Sequence, residues 1–218
     1  MNLIVIEGGI GMGKSELGRA LKRPGVEFVP EVIPHDKLKM FINHMARGTD
    51  KYDPGIGELD PLGFQLIMAS TRIIAQNKAL KEVKRNKLVF LERSIISDYC
   101  FARCCIDSRE DLIYYENFSK EYLWPRMVQP DLVIYLKGSF QGETARIKER
   151  ARDGEAWYLT RQGEIYRKQL NLEHDNMLCY YKKYRIMTLN PDDLDWRDPI
   201  IADDILDEIL IRLKLQDL

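Results

Sequence analysis

Long hydrophobic runs are missing from this sequence, and with them the usual signs of a membrane protein. No apolar stretch approaches the roughly 20 residues that a membrane-spanning helix needs. The first apolar run begins at Asn2 and is predicted to be a strand, so we expect no signal or transit peptide before it. These absences predict a cytoplasmic protein that does not bind membranes.

Cysteine and histidine are also scarce, and neither sign of charge prevails. The four cysteines form no C-x-x-C pair, and together with three histidines they show no zinc-binding spacing. We therefore expect reduced thiols in a reducing compartment. The 33 basic residues are balanced by 34 acidic residues, which leaves a formal net charge of −1. The chain therefore has no overall basic field, and we expect no nucleic-acid partner.

The most informative stretch is a glycine-rich segment near the start of the chain. Residues 2–6 are predicted to form a buried strand, and apolar residues recur at helical spacing over residues 16–21. Between them, the pattern G-x-x-x-x-G-K-[ST] is matched at every position by Gly8, Gly9, Ile10, Gly11, Met12, Gly13, Lys14 and Ser15. In such a P-loop, backbone N–H groups hold phosphates, the lysine reaches the terminal phosphates and the serine ligates Mg²⁺. A glycine-rich turn that binds nothing is the alternative, but the flanking elements favour binding of a nucleoside triphosphate.

The rest of the chain alternates strands with helices. Strands are predicted at 26–29, 88–91, 132–136 and 186–189. A loop is predicted at 47–60, and helices at 36–46, 61–84, 97–127 with a break near 107–108, 139 or 142 to about 150, within 157–184, and 199–215. This alternation predicts a three-layer α/β fold, a five-stranded parallel sheet flanked by helices, in one domain over residues 1–218.

Charged residues follow two of the predicted strands. Glu31 comes after the second strand, and Glu92 and Arg93 come at the end of the third. In open α/β sheets ligands bind at the carboxyl ends of the strands, so these side chains are candidates for a site beside the P-loop. No Asp-x-x-Gly follows a strand and no Asn-Lys-x-Asp is present. Phosphoryl transfer is therefore favoured over a switch GTPase.

Three arginines occur together after the fourth strand: Arg146, Arg150 and Arg152. They fall in and just after the last turns of a predicted helix, in a segment that we call the lid segment (residues 146–157). Arginines there could fold over phosphates, stabilise the transferred phosphoryl group and exclude water. A solvated basic helix face paired with Glu149 and Glu155 is the alternative. The intact P-loop favours the lid.

Taken together, these stretches resemble the deoxynucleoside kinases, the group that contains deoxycytidine, deoxyguanosine, deoxyadenosine and mitochondrial-type thymidine kinases. The matching segments span roughly residues 2–190 in the expected order: the P-loop, 29–31, 64–65 with Arg72, 92–98, 146–152 and 180–189. The resemblance implies a P-loop kinase fold, ATP and Mg²⁺ as cofactors, and a homodimer formed through the long helices. It also implies phosphorylation of the 5′-hydroxyl of a deoxynucleoside.

The resemblance implies roles in the chemistry for Glu31, Arg93 and Glu92, beside the P-loop residues Lys14 and Ser15. Glu31 matches the general base on the 5′-hydroxyl, and Arg93 matches the arginine that steadies the 5′-oxygen and the phosphates. Glu92 matches the residue associated with Mg²⁺, for which Ser15 is the other expected ligand. Lys14 completes the expected catalytic set.

The resemblance also implies a nucleoside pocket. Gln65 and Asp98 match the residues that read the base, Arg72 lies near Asp98, and Met68 is expected to narrow the pocket. Glu155 and Tyr52 are the expected ligands of the 3′-hydroxyl. The chain departs from the family at three positions, where Val32, Ala151 and Gly154 replace a proline, a glycine and a glutamate. The departures at 151 and 154 bear on the lid and the sugar contacts.

In the family, members that accept cytosine or purine bases carry an arginine and an aspartate at the positions of Arg72 and Asp98. We therefore expect deoxyadenosine, deoxyguanosine or deoxycytidine to be preferred over thymidine, with the choice among the three open.

A nucleoside monophosphate kinase, similar to thymidylate kinase, is the first alternative to a deoxynucleoside kinase. It would need an extra arginine and typically has Asp-Arg-Tyr where this chain has Glu-Arg-Ser at 92–94. A catalytically silent structural subunit is the second alternative. Such a subunit would be expected to have a degraded P-loop, whereas the P-loop of this chain is intact.

Overall fold

Five parallel strands form the centre of the computed structural model, which describes residues 2–31, 60–83, 88–151, 155–180 and 184–215. The strands are β1 (Asn2–Gly8), β2 (Val26–Val29), β3 (Leu88–Glu92), β4 (Leu132–Leu136) and β5 (Ile186–Leu189). Their order in the sheet is β2-β3-β1-β4-β5. The predicted parallel five-stranded sheet is therefore confirmed. The expectations for the helix 36–46 and for residues 47–59 fall outside the described residues.

Burial explains why the strands were legible in the sequence. Every residue of β3 and β4 is buried, and β1 is buried after Asn2. Parallel sheets are covered on both faces, so their strands are continuous apolar runs rather than alternating ones. In the central register, Ile4 of β1 lies opposite Phe90 of β3 and Leu132 of β4.

Seven α-helices are present in the described ranges. They are α1 (Lys14–Ala20), α2 (Pro61–Glu82), α3 (Ile95–Cys105), α4 (Arg109–Phe118), α5 (Phe140–Arg150), α6 (Arg161–Tyr180) and α7 (Pro199–Leu213). A π-turn (Ser119–Leu123) and two 3₁₀ turns (Trp124–Arg126 and Ala156–Leu159) complete them. None of the helices in the described part of the chain is long and apolar enough to cross a membrane.

Side-chain caps set several helix boundaries. Ser94 accepts a hydrogen bond from the backbone N–H of Ile96, so α3 begins two residues before the predicted start. The predicted break near 107–108 is present: Ile106 is extended, and Ser108 caps α4 through the N–H of Asp111. At the other end of the chain, Lys214 adopts φ 57°, which ends α7 two residues earlier than predicted.

The helices pack in layers on the two faces of the sheet. On one face, α1 and α7 cover the strands through the cluster that includes Leu17, Leu21, Ala202, Ile205 and Ile209. On the other face, Leu80 of α2 packs against β1 and β3, and Leu178 of α6 packs against β4. The fold is thus the three-layer arrangement that was predicted. It places the turn after β1 and the segment after β3 side by side, because β1 and β3 are neighbours.

Candidate active site

The P-loop is the turn between β1 and α1, and its geometry depends on glycine. Gly13 has φ 81° and ψ 18°, a left-handed conformation that side chains disfavour, and α1 begins at the next residue. Lys14 is buried, and its Nζ donates hydrogen bonds to the carbonyl oxygens of Gly8, at 3.0 Å, and Gly9. The Lys14 ammonium group thus lies within the P-loop turn. There it would be close to an anion bound by the backbone N–H groups.

The surroundings of Lys14 make its ammonium group unusually acidic. Burial and the nearby Arg93 lower the pKa of Lys14 to about 7, although Glu31, Glu92 and Glu7 act in the opposite direction. The ammonium group of Lys14 therefore loses its proton more readily than that of an ordinary lysine. An anion beside Nζ favours the charged form, so phosphate binding would raise this pKa.

Ser15 and Glu92 form an oxygen pair beside Lys14. The Ser15 hydroxyl donates to Glu92 Oε1 at 2.6 Å, and the backbone N–H of Glu31 donates to Glu92 Oε2 at 3.3 Å. A hydroxyl and a carboxylate are ligands that suit Mg²⁺, which usually takes one or two carboxylates together with water and substrate phosphates. The described residues hold no ready-made group of three or more metal-ligating side chains. The pair thus fits a metal ion that arrives with phosphates.

Glu31 is held between two arginines. Its Oε1 lies 3.0 Å from Arg72 Nη2, and its Oε2 accepts a hydrogen bond from Arg93 Nε at 3.2 Å. Burial favours the neutral carboxyl, but Arg93, Arg72 and Lys14 outweigh it and lower the pKa of Glu31 to about 2. Glu31 is therefore an ionised carboxylate at neutral pH. As an acceptor it can orient a hydroxyl, but it is a weak proton base.

Arg72 links Glu31 to Asp98 inside the fold. Its Nε donates to both carboxylate oxygens of Asp98, at 3.0 and 2.8 Å, and both side chains are buried. Burial alone would lower the pKa of Arg72, but Asp98 and Glu31 raise it, so the guanidinium stays charged. The predicted proximity of Arg72 and Asp98 is therefore observed. The ion pair to Glu31 was not foreseen.

Arg93 is placed by a strained backbone. Its φ is 63°, a value that residues other than glycine rarely adopt. Its carbonyl accepts from Gln76 Nε2 at 2.8 Å, and its Nη1 donates to Ser97 Oγ at 3.0 Å. Its guanidinium also lies 5.0 Å from the centre of the Phe101 ring. Surrounding contacts thus stabilise the conformation that directs Arg93 towards Glu31.

Glu7 holds the residues that follow Arg93 through hydrogen bonds. No role was predicted for it from the sequence. Its fully buried carboxylate accepts from the backbone N–H of Ser94 at 2.8 Å, from Ser94 Oγ at 2.6 Å and from Ser97 Oγ. Burial raises the pKa of Glu7 despite these donors. The only signal in the sequence is an acidic residue inside an otherwise apolar strand. It fixes the start of α3, which carries Asp98.

Two pockets adjoin these residues. One, the P-loop pocket, has a volume of about 840 Å³ and is lined by residues 11–15, by α5 and by residues 191–197. The other, the Arg72 pocket, has a volume of about 470 Å³. Both are lined by Gly11, Lys14 and Arg150, so they meet at the P-loop lysine.

Most of the residues predicted to bind the nucleoside line the Arg72 pocket: Glu31, Gln65, Met68, Arg72, Arg93, Asp98 and Glu155. Its aromatic residues and its cysteines were not predicted, apart from Phe64 as part of the family resemblance. They come from α2, α3, the second 3₁₀ turn and α6: Phe64, Phe101, Cys104, Cys105, Trp157, Tyr158 and Tyr166. Cys105 Sγ lies 3.7 Å from the Tyr166 hydroxyl. Tyr52 lies outside the described residues.

The predicted lid arginines have different partners. Arg146 Nε donates to the Gly11 carbonyl at 2.8 Å, and its Nη1 donates to Asp192 Oδ1 at 2.6 Å, which ties it to the P-loop pocket. Arg150 donates to both oxygens of Glu155, at 2.9 and 2.6 Å. Arg152, like Gly154, falls outside the described residues. The alternative of a solvated helix face included pairing of the arginines with Glu155, and Arg150 does pair with Glu155. Both residues line the Arg72 pocket, however.

The loop after β5 is a further part of the P-loop pocket that sequence reasoning missed. Residues 191–197 line the pocket, and Trp196 lies buried against Gly13, where an added Cβ would come within 2.7 Å of the indole. The rule that ligands bind at strand carboxyl ends could have identified this loop, because it directly follows β5.

Comparisons with known proteins bear on the family and the fold of the chain. A family model described as deoxynucleoside kinase matches residues 4–211. Among solved structures, deoxyadenosine kinase from M. mycoides is similar in three forms. The TM-scores are 0.71 for the form with the products dCMP and a flexible dCDP bound, 0.72 with bound dATP and 0.68 with bound dCTP. Sequence identity is 20–21%, and each match covers 95% of this chain and 98% of the other. No curated protein sequence matches the chain.

Proposed function

The chain belongs to the deoxynucleoside kinase family, and from that premise we propose that it transfers the γ-phosphoryl group of ATP to the 5′-hydroxyl of a deoxynucleoside. One observation carries this proposal. A P-loop pocket and a second, partly aromatic pocket meet at Lys14, and Glu31 and Arg93 line the second pocket beside that lysine. A donor in the first pocket and an acceptor hydroxyl in the second would therefore lie close together, as direct transfer requires.

Positioning and charge account for the chemistry we propose. Ionised Glu31 accepts a hydrogen bond from the 5′-hydroxyl and aims the oxygen at the γ-phosphorus. The hydroxyl proton passes to Glu31 only as the new oxygen–phosphorus bond forms, which is compatible with a low pKa because the transition state of phosphoryl transfer is loose. Arg93 and Lys14 stabilise the charge on the transferring group.

Mg²⁺ would be held by Ser15 and Glu92, and when bound it neutralises charge on the donor phosphates. The lid arginines would also neutralise charge on the donor phosphates. Arg146 borders the P-loop pocket and Arg150 borders both pockets. Arg150 exchanges Glu155 for phosphate oxygens when the donor binds, which frees Glu155 for the sugar.

The base preference that we propose is for deoxyadenosine, deoxyguanosine or deoxycytidine over thymidine. Arg72 and Asp98 are buried, line the Arg72 pocket and pair with each other through Arg72 Nε. An ionised Asp98 carboxylate only accepts hydrogen bonds, and adenine, guanine and cytosine each carry an exocyclic amino group that could donate to it, whereas thymine carries none. Two M. mycoides structures contain dATP and dCTP, an adenine and a cytosine nucleotide. This supports the proposed preference.

A phosphorylation screen tests the proposal. Purified chain, ATP and Mg²⁺ are incubated with each of the four deoxynucleosides and, in parallel, with each deoxynucleoside monophosphate. We expect monophosphate formation from deoxyadenosine, deoxyguanosine or deoxycytidine at a higher kcat/KM than from thymidine. Thymidine as the best substrate would refute the base preference alone. Activity confined to monophosphate acceptors would favour the nucleoside monophosphate kinase instead.

We also propose that residues 1–218 form one kinase domain and that the chain works as a cytoplasmic homodimer. Large apolar side chains are exposed on α2 and on the segment from α4 through the π-turn: Ile67, Ile74, Ile113, Tyr114 and Tyr122. These are the long-helix segments through which the family resemblance implies pairing, and an interface formed there would cover these exposed side chains.

A further inference from the structure

A buried charged cluster lies beneath the P-loop and takes no part in the chemistry proposed above. It consists of Glu143 in the first turn of α5 and of Arg167 and Asn171, one turn apart on α6. Glu143 and Arg167 are both 0% exposed, with Arg167 Nη1 3.2 Å from Glu143 Oε1. Asn171 Nδ2 donates to Glu143 Oε2 at 2.8 Å. Burying two charges is costly, and an apolar trio would often be as stable, so the cluster is poorly explained by stability alone.

The cluster touches the P-loop at Gly9. The space that a Cβ at Gly9 would take is occupied by the amide of Asn171, and the Glu143 carbonyl lies 3.2 Å from the Cβ position of Gly11. The backbone that would face the donor phosphates therefore rests directly on Asn171 and on α5. A shift of the Asn171 amide would move or release Gly9.

The same cluster reaches the wall of the Arg72 pocket. Arg167 Nε donates to the Tyr158 carbonyl at 3.0 Å, and its Nη2 donates to Thr144 Oγ1 at 3.1 Å. Its guanidinium also lies 4.3 Å from the centre of the Phe140 ring. Tyr158 lines the Arg72 pocket. The Arg167 guanidinium thus connects the first turns of α5 with Tyr158, which would border the nucleoside.

We propose that Asn171 and Glu143 are positioning residues, which hold the P-loop at Gly9 and Gly11 in register with the acceptor pocket. This inference rests on the proposed function, because it concerns the alignment of donor and acceptor. Asn171 acts through its packing on Gly9, and Glu143 acts by orienting the Asn171 amide. Arg167 fixes Glu143 and transmits the same alignment to Tyr158.

The test compares Asn171→Ala with Leu172→Ala, its neighbour on α6, whose side chain is 52% exposed and lines neither pocket. For Asn171→Ala we expect kcat per folded enzyme to fall about tenfold, since misplacement of reacting groups by a fraction of an ångström has effects of this order. ADP affinity should fall severalfold, and the KM for the deoxynucleoside should stay within twofold. Leu172→Ala should leave all three within twofold.

Glu143→Gln provides a second variant, because the amide keeps an oxygen that can accept from Asn171. It also leaves Arg167 without its buried carboxylate, so kcat is again compared per folded enzyme. We expect kcat to fall by a smaller factor than in Asn171→Ala. The double variant should be no worse than Asn171→Ala alone, since residues that act through one contact are not additive. If Asn171→Ala does not fold, the kcat and ADP affinity of Glu143→Gln are read against Leu172→Ala in the same way.

A purely structural role would lower the melting temperature while kcat per folded enzyme and ADP affinity stayed within twofold, and that result would overturn the inference. Its failure differs from failure of the proposed function. An unaltered chain that binds ADP but phosphorylates no deoxynucleoside would refute the function, and the ADP affinity of Asn171→Ala would still decide whether Asn171 supports the P-loop.

Discussion

Replacing Glu31 with glutamine keeps the shape of the side chain and removes the charge that two arginines share. In the structure, Glu31 lies between Arg72 and Arg93, and its pKa falls from an ordinary 4.5 to about 2. Because the folded-state pKa is lowered, the ionised carboxylate stabilises the fold above about pH 4.5, and that contribution is lost as the pH falls towards 2. The shift corresponds to about 3 kcal/mol.

At pH 7 we therefore expect Glu31→Gln to lower the free energy of unfolding by up to about 3 kcal/mol, less whatever the remaining amide oxygen recovers with either arginine. Urea denaturation should show this as a midpoint lower by about 1 M. The difference from the unaltered chain should narrow as the pH falls below 4.5. We also expect kcat to fall by about a hundredfold, the scale for loss of a positioned general base.

Asp207→Asn is the matched control, because Asp207 is an exposed carboxylate on α7 that lines neither pocket, and one negative charge is removed there as well. It should leave kcat and the urea midpoint unchanged. A Glu31→Gln enzyme with kcat within threefold of the unaltered chain would show that Glu31 is not the acceptor of the hydroxyl proton. An unchanged urea midpoint would refute the ion-pair reasoning separately.

Four further predictions concern the P-loop, the buried ion pair and the assembly. Lys14→Ala should abolish transfer with an unchanged far-ultraviolet circular dichroism spectrum, and substantial activity in the folded variant would exclude the P-loop from the mechanism. Because the pKa of Lys14 is lowered to about 7 and phosphates favour its charged form, ADP affinity measured by calorimetry should weaken as the pH rises from 6 to 9. A flat profile would contradict this. Asp98→Ala leaves Arg72 without one of its two carboxylates and should destabilise the fold by about 3–5 kcal/mol in denaturation experiments, whereas a change below 1 kcal/mol would argue against a tight pair. Light scattering should give twice the 25.5 kDa mass of the chain, and a monomeric mass at micromolar concentration would exclude the homodimer.

The parts of the molecule that were predictable are those specified by local sequence. The buried strands are uninterrupted apolar runs, and the P-loop is an eight-residue pattern with a strand before it and a helix after it. The break between α3 and α4 was also legible, since Asp107 and Ser108 favour a turn and a helix cap. In each case the residues that determine the structure are adjacent in the chain.

The parts that could not be predicted depend on residues far apart in the chain. Glu7 and Ser97 are 90 positions apart, yet they share a hydrogen bond that fixes the start of α3. The walls of the Arg72 pocket combine Phe101 from α3 with Tyr166 from α6, and each would pass for a core residue in the sequence. The family resemblance identified the charged residues of the pocket but not the ion pair between Arg72 and Glu31.

The origin and destination of the transferred phosphate test the central claim most directly. ATP labelled with ¹⁸O on its γ-phosphate is incubated with the chain, Mg²⁺ and deoxyadenosine, deoxyguanosine or deoxycytidine, and the products are analysed by mass spectrometry. We predict a deoxynucleoside 5′-monophosphate that carries the label, and none from the matching 5′-deoxy analogue. Labelled inorganic phosphate without any labelled monophosphate would contradict the assignment of the Arg72 pocket as the acceptor site.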